Sequence, residues 1–247
     1  MKRLLVIDWD YFFKVSEPPA PGWPLYDWGH NENWAPAMQS SLWQRRAVAF
    51  LRNQIPLPGL SGLEQTFWNR FTFTTRTQLF VSESNFASML PSVRRGITDV
   101  VLFDAHHDGG YKERLGNHWT CENWAIWYGL KGIPVQVYYP TWRADVFALE
   151  DYCLAESLAL PFRRQFDQGH ADVQPFDRIH VCRSGTWVPP WLDDAFEAFL
   201  TACPAYTTLQ RIEPPTVTPR PFLLENVYDE IHNWEKLEAL CQMASGR

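Results

Sequence analysis

The stretch Val100–Asp108, VVLFDAHHD, passes from an unbroken apolar run directly into Asp104, His106 and Asp108. An apolar run this short, ending at an acid, reads as a buried strand. In extended chain, side chains two residues apart point the same way, so Asp104, His106 and Asp108 share one side. His107 faces the other way and falls to packing or to support of its neighbours. Like charges held this closely repel unless a cation lies between them. The bland alternative is a solvated strand-to-helix loop, where Asp and Gly are common.

The N-terminus repeats the pattern. In LLVIDWDYFF the apolar run ends at Asp8, and Asp10 follows two residues later. Further apolar runs read as buried strands at 78–83 (QLFVSE), 135–139 (VQVYY) and 178–184 (RIHVCRS), with PFLLENV near Pro221 as a sixth. Their near-continuous apolar character suits parallel strands covered on both faces. Helical patterns lie between them at 41–55, 121–132 and 189–203, and a closing helix spans about 229–243. Strands alternating with helices imply an α/β three-layer αβα sandwich with a mainly parallel sheet. In such a sheet all strands deliver their carboxyl ends to one edge, where α/β sites are built. That edge would gather Asp8, Asp10, Asp104, His106 and Asp108 into one pocket, a donor set suited to Mn²⁺ or a similar divalent ion.

The remaining chain narrows the function classes. The 247 residues with 46% hydrophobic content suit a single domain, 1–247. No apolar run reaches membrane-spanning length, and Asp8 interrupts the N-terminal run too early for a signal peptide. The five cysteines are scattered without a CxxC pair, which favours a reducing cytoplasm over a disulfide scaffold or zinc ribbon. A net charge of −6 argues against nucleic-acid binding. Residues 16–39 follow no period and carry five prolines with Trp23, Trp28 and Trp34. Such a loop beside a strand end reads as a lid or binding wall.

These motifs carry a family resemblance. DAHHD resembles the DAHxD signature of the ureohydrolases (arginase, agmatinase) and their deacetylase relatives, and IDWDYFF is similar to their second DxD metal motif, here moved to the N-terminus. A branch that includes the peptide arginases shares FDxHxD, ENW, PTW and a separate DIDxDFF element. This chain has FDAHHD at 103–108, ENW at 122–124, PTW at 140–142 and CRS at 182–184. The resemblance covers about 81–191 plus the N-terminal strand. It implies an arginase/deacetylase-like fold and a manganese-dependent hydrolase that converts arginine side chains of a ribosomally made precursor peptide to ornithine, releasing urea, in natural product biosynthesis.

By the same resemblance Asp104 and Asp8 would bridge two Mn²⁺ ions, His106 and Asp10 would complete one, and Asp108 would bind the other. Family members usually place a histidine where this chain has FVSESNF, so Asn85 is the ligand expected there, with Glu83 the alternative. His118 in GNHWT is similar to the GNxHG stretch of arginases and is the candidate proton donor for the leaving nitrogen; the alternative is a surface loop histidine. Glu122 would hold the guanidinium as a bidentate partner, or else support the helix that follows it. With Asp108 these two form the expected catalytic group, and Trp23, Trp28 and Trp34 the wall of a peptide groove. A guanidinium keeps its proton at any physiological pH, so its carbon is a poor electrophile, and a divalent ion that lowers the pKa of water answers that difficulty.

Other functions compete. A small guanidino compound or an acetylated amine would use the same site. LLVIDWDYF also fits the start of haloacid-dehalogenase-type phosphatases, with Asp8 as nucleophile, Asp10 as acid and the LDD at 192–194 as terminal acids. A shell that binds peptide without hydrolysing it is the non-catalytic alternative.

Overall fold

The computed structural model describes residues 2–14, 36–146, 152–212 and 219–245. In chain order the elements are β1 (Arg3–Asp8), β2 (Phe13–Lys14), α1 (Pro36–Arg52), β3 (Gly59–Leu60), β4 (Phe71–Ser82), α2 (Pro91–Arg94), β5 (Asp99–Phe103), α3 (Trp124–Leu130), β6 (Val135–Tyr139), α4 (Trp142–Val146), α5 (Leu154–Ser157), β7 (Phe162–Phe166), β8 (Asp172–Cys182), α6 (Asp193–Thr201), β9 (Gln210–Arg211) and α7 (Leu224–Ser245). Seven strands form one sheet in the order β7-β6-β5-β1-β8-β4-β9, and every described pairing within it is parallel. β2 and β3 form a small antiparallel pair.

β1 lies inside the sheet, and its alternating side chains divide between two cores. Leu5 and Ile7 join a core with Trp43 and Phe50 of α1 and Phe196, Phe199 and Leu200 of α6. Leu4 and Val6 join another with Val93 of α2, Trp124, Ala125, Ile126 and Tyr128 of α3 and Leu154 of α5. Burial on both faces explains why the central strands read as continuous apolar runs.

Five of the six expected strands form, and the sheet's margins differ from expectation. PFLLENV is not a strand; α7 begins within it at Leu224, five residues earlier than the helix read from about Asp229. The further strands are FRRQF, whose Arg163 and Gln165 are exposed on an edge, and the two-residue β9. Edge strands carry little apolar signal because fewer of their side chains are covered. β4 and β8 extend well before their expected starts, and their pairing shifts register between Phe71 and Gln78, opposite the segment carrying Pro175. Proline lacks the ladder N–H and belongs at such an irregularity.

α1 starts at Pro36, so the end of the expected irregular stretch 16–39 is helical; proline suits a first helical turn because its missing N–H would have no intrahelical partner. The helix stops at Arg52 rather than at 55 because Gln54 turns left-handed, with φ 59°, and Ile55 N–H donates back to the Phe50 carbonyl at 2.9 Å. Trp23, Trp28 and Trp34 lie outside the described residues. None of the five cysteines forms a disulfide. Among the described residues no helix is long and apolar enough to cross a membrane.

Candidate metal centre

β5 flanks β1 on one side and β8, followed by β4, on the other. The carboxyl ends of these strands therefore meet where the connections part to opposite sides, the usual place for a site in an open parallel sheet. Ile7 pairs with Phe103, so the next residues, Asp8 and Asp104, emerge side by side. Asp8 also lies opposite Cys182, and Ser82 lies opposite Cys182 from the far side. Residues just past β4 and β8 therefore reach the same point.

Asp8, Asp10, Asp104 and Asp108 are buried there. The Asn85 amide nitrogen lies 2.8 Å from Asp8 Oδ2, 3.0 Å from Asp104 Oδ2 and 3.0 Å from Asp108 Oδ2. Beside this focus, Asp10, Asp104 and His106 present ligand atoms all within 4.8 Å of one another. His106 Nδ1 is 2.9 Å from Asp10 Oδ2 and 3.5 Å from Asp104 Oδ1. Asp104 thus divides its two oxygens between the two groups. Burial raises Asp104 well above the usual carboxylate range, and the charges of Asp108, Asp10 and Asp8 add to it. Burial raises Asp8 likewise, reinforced by Asp10. Burial also pushes Asp108 up to about 7, against the lowering effect of the Trp124 N–H.

The donor set fits a divalent cation. Asn85 Oδ1 is buried without a hydrogen-bond donor among the described residues, and Asp10 Oδ2, also buried, meets only the His106 ring nitrogen at 2.9 Å. A buried acceptor without a donor is costly unless a cation meets it. Carboxylate oxygens, an amide oxygen and an imidazole nitrogen are ligands for Mn²⁺ or Mg²⁺.

The motifs quoted from the sequence converge on this cluster. Trp124 of ENW donates its indole N–H to Asp108 Oδ2 at 2.5 Å. Ser184 of CRS donates its hydroxyl to Asp8 Oδ2 at 2.6 Å. Beside PTW, Arg143 donates to the Ala105 carbonyl at 2.6 Å, and Trp142 itself donates to the Tyr11 carbonyl at 3.0 Å. Asp108 and Ser184 both hold positive φ, 52° and 51°. Non-glycine residues rarely adopt that backbone, which concentrates at functional sites. Gly109 after Asp108 has no room for a side chain, since a Cβ there would come within 2.7 Å of Cys153 Sγ. His107 is buried away from the cluster, accepting from Gly109 N–H at 2.9 Å and stacking on Tyr111.

Of the residues read from the sequence, Asp8, Asp10, Asn85, Asp104, His106 and Asp108 come together. Glu83 does not, because its carboxylate lies 2.5 Å from the Arg183 guanidinium. His118 is exposed, and its side chain makes no hydrogen bond among the described residues; its carbonyl accepts from Asn123 at 3.3 Å. Glu122 is half-buried, and its carbonyl accepts from Gly110 N–H at 2.8 Å. Ser184, Trp124 and Trp187, whose ring lies 5.2 Å from that of His106, also belong to the site, though no spacing in the sequence marks them. The CRS, ENW and SGTW stretches were the available signals. No family model, curated protein or solved structure matches the chain.

Proposed function

We propose that the chain is a manganese-dependent hydrolase of arginase/deacetylase-like fold that cleaves the guanidinium of arginine side chains in a precursor peptide, leaving ornithine and releasing urea. The observation that carries the metal-dependent reading is the convergence of Asp8, Asp104 and Asp108 on one point, with Asp10 and His106 beside it. Asp8, Asp108, Asp104 and Asn85 would hold one ion; Asp10, His106 and Asp104 would hold the other. Bound ions would supply a water of lowered pKa and positive charge near neutrality.

The chain's own residues do the rest. Ser184 and Trp124 fix the orientation of Asp8 and Asp108, as partners of ligating carboxylates do. His106 is the most accessible of the ligands, with 18% of its side chain exposed, and with the half-buried Trp187 it marks the side from which substrate would arrive. The choice of arginine in a peptide rests on the resemblance of FDAHHD, ENW, PTW and CRS to the peptide arginases. His118 and Glu122 keep their proposed parts, proton donor and guanidinium partner, on that ground alone. The phosphatase reading is weaker because Asp193, its terminal acid, is engaged by Arg220 at 2.7 Å and Arg183 at 3.3 Å.

The test incubates the purified chain and Mn²⁺ separately with free arginine and with an arginine-containing peptide, followed by mass spectrometry and urea assay. Ornithine in the peptide alone, lost in Asp104→Ala, is the expected result. Bound metal without conversion of either substrate would shift the reading to another amide bond, and absence of bound metal would favour the binding module.

A further inference from the structure

The Asn85 amide nitrogen carries two hydrogens, yet three carboxylate oxygens lie 2.8–3.0 Å from it. Two hydrogens cannot give each of three oxygens a hydrogen bond of its own, so the nitrogen is an imperfect partner for the trio. At the other end of the same group, the Asn85 oxygen is buried and meets no donor among the described residues. The side chain is 1% exposed, so its surroundings hold it in place, but amide O and N are almost equal in size and can exchange positions without repacking. With the oxygen turned inward, four oxygens would face one point, an arrangement that only a cation makes favourable.

We propose that Asn85 is a two-position ligand: its nitrogen bridges the three carboxylates without an ion, and its amide turns to offer Oδ1 when a hard divalent cation enters. This rests on the metal-dependent reading above and adds an order to it. The neighbouring group contains an imidazole nitrogen from His106 and needs no such turn. It fills first and accepts Zn²⁺ as well as Mn²⁺. The Asn85 group offers only oxygen, favours Mn²⁺ or Mg²⁺ over Zn²⁺, and fills second because the amide must first give up its hydrogen bonds.

The test titrates the full chain with Mn²⁺ and Zn²⁺ by equilibrium dialysis, and follows side-chain amide ¹⁵N–¹H resonances during Mg²⁺ addition. Wild type should bind two Mn²⁺ in a tighter and a weaker class. Asn85→Ala should weaken the second class by about tenfold or more and leave the first unchanged. Asn85→His should let Zn²⁺ into both. The Asn85 amide resonance, identified by its absence in Asn85→His, should move during the Mg²⁺ titration. Two equally bound ions in Asn85→Ala, or a stationary resonance while the second ion binds, would overturn the two-position ligand and leave the metal-dependent reading intact. Wild type binding no ion would overturn both. Circular dichroism checks the Asn85→Ala fold; if that variant fails to fold, Asn85→His and the resonance decide.

Discussion

Two sets of largely buried acids lie past the carboxyl ends of the strands, and they are balanced in opposite ways. In one, Asp193 accepts from Arg220 through both carboxylate oxygens, at 2.7 and 3.0 Å, while Arg183 stands between Asp193 and Glu83. Arginine meets carboxylate throughout, and the network is complete within the chain. In the other, Asp8, Asp10, Asp104 and Asp108 have no lysine or arginine ion pair among the described residues; the imidazole beside them belongs to His106, and the neutral indole N–H of Trp124 donates to Asp108. The two sets are neighbours in sequence as well, for Arg183 precedes Ser184, whose hydroxyl binds Asp8. Buried acids alone therefore say little about metal. What distinguishes the second set is that no lysine or arginine among the described residues neutralises it.

The contrast can be broken from either side. The largest effect is expected at the compensated set. Asp193→Ala leaves Arg183 and Arg220 buried without their shared partner, and chemical denaturation should show a loss of about 3–5 kcal/mol. Metal stoichiometry in the folded fraction should not change. Asp104→Ala should do the reverse, abolishing metal binding without that loss of stability.

A smaller effect separates the sets by pH. Asp108 lies at about 7, above its ordinary 3.8, and Asp8 and Asp104 are also raised. In metal-free protein these groups favour the fold while protonated. That contribution is full below about 4 and is lost as the pH rises through about 7. Bound cation requires the ionised form, so its stabilisation grows over the same interval. Mn²⁺ at a hundredfold excess over Kd should add about 2.7 kcal/mol per site at pH 8. Held at that same concentration, it should add clearly less at pH 5, which thermal melts with and without chelator would measure. An equal gain at both pH values would remove the carboxylates as the binding groups.

The smallest effect sharpens the comparison at one bond. Trp124→Phe keeps the packing of α3 but removes the N–H on Asp108, and metal affinity should fall by about tenfold. Unchanged affinity would make Trp124 a core residue only.

The cluster was legible to different depths at different residues. Asp8, Asp10, Asp104, His106 and Asp108 could be read because each follows an apolar run at a spacing of two, a local pattern that survives without knowledge of neighbours. Asn85 and Glu83 could not be separated, since both follow β4 within a few residues. The structure separates them through a partner a hundred residues away, because Arg183 takes Glu83 and leaves Asn85 to the carboxylates. Ser184 and Trp124 were present only as letters in short motifs, and their hydrogen bonds are contacts across the sheet. The strand expected near Pro221 failed for a related reason. A brief apolar run has no decisive period, and α7 takes Val227 into a small core with Ala47 and Val48 of α1.

By itself, the sequence determined that acids end the buried strands and that helices separate those strands, because alternation and apolar run length are properties of a few consecutive residues. Only the tertiary structure decided which strand ends are neighbours. Asp8 and Asp104 are brought together by the parallel register of β1 and β5, which joins segments almost a hundred residues apart. That pairing is set by burial on both faces of the sheet, and no local pattern contains it.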